Sequence, residues 1–245
     1  MTILALEFSS SQRSVAVLSS SRRDEPCESQ SSSDTGNTGT RITHPSASVI
    51  CEAIETGGQS TRAFSMIEKV LAEAKIEREQ IDVIAVGLGP GSYTGIRVAL
   101  SVAQGWQLAS RDGGMKLLGV SSAECVAAQA QAEKISGRVN VVIDAQRNEF
   151  YLAAYEISAA GRKEVEPLRI LTRAEVELRI GANEMLIGPE VTRWFPSGRV
   201  IFPRATMLGR LVAGRNDFIS GDKLAPIYLR AANFVKAPPV NPASR

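Results

Sequence analysis

Short apolar runs separated by polar turns recur along most of the chain. Ile3, Leu4, Ala5 and Leu6 form one run and Val15, Ala16, Val17 and Leu18 the next, and the turn Ser9-Ser10-Ser11-Gln12 between them predicts a β-hairpin. From 19 to 40 the only hydrophobic residue is Cys27, and seven residues are serine. Such a stretch cannot bury enough surface to offset its ordering entropy, so a flexible insertion is expected at about 19–48. Extended pattern resumes over 49–54, which puts the insertion at a hairpin tip, where added length costs little loop-closure free energy. Met66, Ile67, Val70, Leu71 and Ala74 then recur at helical spacing, and residues 83–86 with Leu88 read as a fully buried strand. A glycine-rich turn, Gly87-Leu88-Gly89-Pro90-Gly91-Ser92-Tyr93-Thr94-Gly95, leaves that strand and feeds a helix over 96–109. Beyond it the pattern predicts strands near Leu117, over 139–144 and over 150–157, and helices near 124–133, 172–179 and 207–215. The class is α/β.

A repeat is visible in this layout. Residues 4–18 read apolar strand, acid (Glu7), polar turn, apolar strand; residues 141–155 read the same, with Asp144 as the acid and Gln146-Arg147-Asn148 in the turn. Two lobes, 1–110 and 111–245, each opening with an acid-bearing hairpin, point to a duplicated architecture; the alternative is a chance likeness of two hairpins.

Composition narrows the function classes. With 245 residues, 44% hydrophobic and 22% charged, and a mean hydropathy of -0.03, the chain is ordinary globular material for one large unit or two closely packed lobes. The start MTILALEFSS carries an acid where a signal peptide needs an apolar stretch, and no run approaches a membrane helix in length, so a cytoplasmic protein without membrane contact is expected. Cys27, Cys51 and Cys125 are odd in number and widely spaced, which suggests reduced thiols. Up to Ser110 nine basic residues face twelve acidic ones, and beyond it nineteen face fourteen; so mild a basic surplus reads as a solvated surface and not as a nucleic-acid footprint. A single histidine, His44, leaves almost no material for His-based metal sites, His-dependent triads or paired-His acid/base schemes, so no metal site is expected.

Three features carry candidate chemistry. The glycine-rich turn is compatible with a phosphate cradle, yet Gly95 is followed by Ile96 and Arg97 where a Walker loop needs Lys and Ser or Thr, and the reading favoured is a structural strand-to-helix turn with Thr94 near the N-cap. The following helix has Ile96, Ala99, Leu100 and Ala103 on one face and Val98, Val102, Trp106 and Ala109 on another, with a narrow polar stripe through Arg97, Ser101, Gln104 and Arg111. A helix apolar nearly all round is buried on two sides, in one core or between a core and a partner; the partner is favoured, with Tyr93, Ile96, Arg97, Ala99, Leu100, Ala103, Gln104 and Trp106 as the expected interface. Glu7 and Asp144 resemble the acid pair that faces a cleft in the actin, sugar-kinase and chaperone-ATPase superfamily, where a glycine follows each acid within two residues. Each lacks the glycine that lets phosphates approach the backbone, so Glu7, Ser9, Gly89, Gly91 and Asp144 are at most a vestigial nucleotide site.

These residues together resemble the bacterial TsaB (YeaZ) family. ILALEFSSSQRSVAVL is similar to that family's opening, GPGSYTGIR with its helix to the most specific signature, VVIDAQRNEFYLAAY to its second hairpin, and PIYLR at 226–230 to a late motif. The resemblance implies a duplicated actin-like, sugar-kinase-like (ASKHA) fold, two lobes each with a mixed sheet flanked by helices. It also implies a subunit that is not itself the catalyst and that pairs with a TsaD-like catalytic paralogue in making tRNA threonylcarbamoyladenosine. A TsaE-like ATPase and tRNA would join through the complex, ATP or ADP would sit at the complex interface, and no cofactor would be intrinsic; a homodimer using the same apolar helix on itself is a rival reading that the sequence leaves open. Glu7-Phe8 in place of Asp-Thr, Gln59 where relatives often have His, and the serine-rich insertion depart from the pattern. The rival readings are a stand-alone small-molecule kinase of the same superfamily and a metalloprotease-like enzyme; the missing turn glycines oppose the first and the lone histidine the second.

Overall fold

The computed structural model describes residues 1–20, 47–57, 62–110, 114–181 and 184–230. Ten strands and five α-helices follow one another as β1 (Thr2–Glu7), β2 (Gln12–Ser20), β3 (Ala47–Thr56), α1 (Ala63–Ala74), β4 (Val83–Gly87), α2 (Tyr93–Ala109), β5 (Lys116–Val120), α3 (Ser122–Ala132), β6 (Gly137–Asp144), β7 (Glu149–Ser158), β8 (Gly161–Thr172), α4 (Arg173–Gly181), β9 (Met185–Gly188), β10 (Arg199–Val200) and α5 (Ala205–Val212) among these residues. None of the described helices is long and apolar enough to cross a membrane.

Strand order shows the duplication directly. The first sheet runs β3-β2-β1-β4-β5 and the second β8-β7-β6-β9-β10, so each begins with a three-strand antiparallel meander and continues from its first strand into two parallel strands. Glu7 and Asp144 end the corresponding strands β1 and β6. The expected duplicated, mixed-sheet α/β fold is the one observed.

The helices place the cores. On the outer face of the first sheet, α1 and α2 bury Met66, Ile67, Val70, Ile96, Ala99 and Leu100 against Leu4, Leu6, Val15 and Val86. On the outer face of the second sheet, α4 contributes one buried residue, Val176, to a cluster with Phe150, Leu152 and Phe195. Between the sheets lie α3 and α5, and they are exchanged: α3 follows the first sheet in sequence but sets Ala123, Val126, Ala127 and Ala130 on Val139, Val141 and Ile143 of the second. Likewise α5 follows the second sheet and sets Ala205, Leu208 and Val212 on Ile3, Ala5, Ala16 and Leu18 of the first. The α5 N-terminus is held there by Ser14 of β2, whose hydroxyl accepts from the Ala205 amide at 2.8 Å, and by an ion pair between Arg204 and Glu52 of β3.

Three expectations change. A lobe boundary at 110 cuts the first sheet, because β5 is hydrogen-bonded to β4. The insertion expected at 19–48 is narrower, since Ser19 and Ser20 pair with Ser48 and Ala47; residues 21–46 lie outside the described part, as do Gln59 and His44. Strands β8, β9 and β10 have no counterpart in the periodicity reading. In β8, GRKEVEPLRILT, charged residues alternate with few apolar ones and Pro167 interrupts, a sequence that only an edge strand tolerates.

Candidate functional site

Two hairpin turns and one helix start converge on a cleft of about 690 Å³ between the lobes. Its walls include Ser9, Ser10, Ser11 and Arg13 of the first hairpin, Gly91 to Thr94 at the start of α2, Asp144, Ala145 and Gln146 of the second hairpin, Glu190 to Trp194 in part, and Ile227 and Tyr228. The Ser11 amide donates to Glu190 Oε1 at 3.1 Å, linking the lobes across it.

The glycine-rich turn is shaped by what it leans on. The Ser92 amide donates to the Ser9 carbonyl at 2.6 Å, and a Cβ on Gly95 would lie 2.0 Å from the Phe8 carbonyl oxygen. Glycine is needed because two backbones touch there. The helix cap is Ser92, whose hydroxyl accepts from the Gly95 amide at 3.3 Å, and not Thr94.

Glu7 lies behind this turn and not in the cleft. Its Oε1 accepts from the Ser9 amide at 2.8 Å and its Oε2 from the Ser122 hydroxyl at 3.0 Å. Ser122 in turn accepts from the Gly89 amide at 3.2 Å, so the carboxylate ties β1, the glycine-rich turn and the start of α3 together. Full burial pushes the Glu7 carboxyl above its ordinary range, opposed by the hydrogen bonds from Ser9 and Ser122. Asp144 does reach the cleft; its Oδ1 accepts from the Gln146 amide at 2.7 Å, and the tip beyond it holds Gln146, Arg147 and Asn148 all at left-handed φ of 62°, 57° and 61°. Of the vestigial nucleotide set, Ser9, Gly91 and Asp144 therefore line the cleft, while Glu7 and Gly89 are bound up in the wall behind it.

The expected partner face is corrected by burial. Ile96, Ala99, Leu100 and Ala103 pack in the chain's own core beneath α2, and Val102 is buried with them. Gln104 is committed to the chain itself, donating to the carbonyls of Gly221 at 2.8 Å and Leu224 at 3.2 Å, and Trp106 is covered by the Arg78 guanidinium 5.0 Å from its ring centre. What α2 turns outward is Tyr93, Thr94, Arg97, Ser101, Gly105, Leu108 and Ala109, which takes in only Arg97 and Ser101 of the polar stripe read from the sequence. Leu108 is 88% exposed, and a Cβ on Gly105 would meet nothing within 4 Å. The cleft residues Glu190, Arg193 and Trp194, and the Glu7 partner Ser122, carry no signal at the sequence level, since each is brought in from a distant element, whereas Tyr228 falls in the PIYLR motif.

A family model described as "TsaD: tRNA N6-adenosine threonylcarbamoyltransferase" matches residues 59–239. The chain is 30% identical over 115 residues to the tRNA threonylcarbamoyladenosine biosynthesis protein TsaB of Escherichia coli, 47% of this chain and 48% of that one. It is 33% identical over 92 residues to the TsaB of Haemophilus influenzae, 38% of each. The matched stretches span about half or less of those relatives' length. YeaZ from Pseudomonas aeruginosa superposes with a TM-score of 0.69 at 24% identity, over 93% of this chain and 99% of that one, which establishes the shared fold.

Proposed function

The chain belongs to the TsaB/YeaZ family, within the wider family that the TsaD model describes, and on that premise we propose that it is a non-catalytic partner subunit in tRNA threonylcarbamoyladenosine biosynthesis. In this reading the outward face of α2 docks on a TsaD-like catalytic paralogue. A TsaE-like ATPase and the tRNA join through that assembly, ATP or ADP is held where the subunits meet, and the work is cytoplasmic.

The observation that carries the reading is the outer stripe of α2. A glycine inside a helix costs about 1 kcal/mol relative to alanine, and Gly105 has no neighbour of its own chain that requires it. Set beside Ser101 and the exposed Leu108, it leaves room for another helix to come close. The subsidiary role is supported by Glu7: the acid expected to face metal and phosphate in an ATP-using relative is fully buried, with one carboxylate oxygen bound to Ser9 and the other to Ser122.

The test is reconstitution of the chain with the paralogue, the ATPase and tRNA. Leu108→Arg and Gly105→Arg should abolish co-elution with the paralogue and lower tRNA modification while circular dichroism is unchanged. Wild-type association by both variants would overturn the docking face. A homodimer through the same face is the second reading, and loss of self-association in Leu108→Arg with paralogue binding intact would select it.

A further inference from the structure

The lobes are joined unequally on their two sides. Behind the cleft, α3 and α5 are seated in buried apolar clusters. Across its open side the links described are polar and few: the Ser11 amide on Glu190, and the end of a segment over 219–230. That segment runs along α2 before it crosses. The Ile219 amide donates to the Leu117 carbonyl at 2.9 Å. Gln107 accepts from the Gly221 amide at 2.7 Å, and Gln104, one turn away on the same helix, donates to Gly221 and Leu224. Leu224 is buried in the core beneath α2, the Ile227 amide donates to the Leu88 carbonyl at 2.9 Å, and Tyr228 stacks on Tyr93 at 5.7 Å. The segment then reaches the other lobe, where Arg230 donates to the Ala145 carbonyl at 3.1 Å and pairs with Glu149. Ala145 and Glu149 are the two ends of the hairpin tip that carries the left-handed residues and one wall of the cleft.

We propose that residues 219–230 are a latch that couples α2 to the opening of the cleft: fixed along α2 at one end and on the β6–β7 hairpin at the other, it sets how far the second lobe swings about the α3–α5 layer. Polar links on an exposed side are the low-stability ones in a fold, so opening there precedes any loss of the buried layer. The coupling is a property of the chain alone; that a partner seated on α2 acts through it rests on the docking proposed above.

Hydrogen exchange of the isolated chain of 245 residues tests it. Arg230→Met removes the hairpin end of the latch, and Gln104→Ala and Gln107→Ala each loosen the α2 end without touching the hairpin. All three should raise exchange of amides 145–152 by about threefold or more. A glutamine variant that quickens amides 219–224 alone, or an Arg230→Met protein with wild-type exchange at the hairpin, would overturn the latch. If a glutamine variant loses the fold, seen as faster exchange in β1 and β4 as well, Tyr228→Ala decides in its place: faster hairpin exchange supports the latch and unchanged exchange refutes it. Because no partner is present, failure here leaves the docking face of α2 untouched, and failure of docking leaves this result standing.

Discussion

Gly91 and Ser9 meet so closely that a Cβ added to the glycine would stand 2.1 Å from the serine's carbonyl oxygen. Gly91 also has φ of +146°, where a side chain is strained whatever the space. Gly91→Ala should therefore destabilise the protein by about 3 kcal/mol or more. Urea unfolding measures it, and a loss below 1 kcal/mol, roughly the scale of an ordinary surface change, would contradict the contact.

Burial raises the Glu7 carboxyl above its unfolded value, so the native state binds more protons than the unfolded chain between those two values. The sign is that this group's contribution is most favourable below its unfolded pKa and is lost as pH rises towards the folded one. Glu7→Gln removes the titration while keeping an acceptor for the Ser9 amide. The stability difference, variant minus wild type, should move in the variant's favour as pH rises from about the ordinary carboxylate range, near 4, towards neutrality. A difference that stays constant over that interval would refute the assignment.

Ala103 is wholly buried and Leu108 is 88% exposed, on the same helix. Ala103→Arg should unfold the chain or cost more than about 4 kcal/mol, whereas Leu108→Arg should stay within about 0.5 kcal/mol of the wild type. Thermal melts of the isolated chain check both. A well-folded Ala103→Arg protein would mean that the helix is rotated from the orientation described.

Ser14 caps a helix that lies across from it in another part of the chain, with 191 positions between it and Ala205. Ser14→Ala should cost about 1–2 kcal/mol, the price of a lost cap at a buried site. Faster exchange at the first turn of α5 should accompany the loss; unchanged exchange there would show that the cap is not holding that turn.

Much of the fold was legible because its signals are local. The runs at 3–6, 15–18 and 83–86 are strands, and the acids Glu7 and Asp144 mark corresponding strand ends. The face of α2 was not legible. A sequence shows which positions are apolar but not that a sheet and the residues around Leu224 bury so wide an arc of the helix, so the stripe through Arg97 and Ser101 reads as incidental when it is the exposed side. The role of Glu7 was hidden for a similar reason: Ser122, the residue that draws its carboxylate inward, is 115 positions away. In β8 the obstacle is chemical, since an edge strand with Arg162, Lys163, Glu164, Glu166 and Pro167 has almost none of the periodicity by which strands are recognised.

The exchange of α3 and α5 between the sheets bears on how the molecule can be taken apart. Cut in the turn after α3, the chain would yield two fragments, each carrying a helix that sets apolar residues on the sheet of the other fragment. Neither piece is a self-sufficient folding unit. Co-produced, the two should find each other and reassemble like the halves of a split reporter, and a half-length ancestor built this way would have been obliged to associate before it could fold.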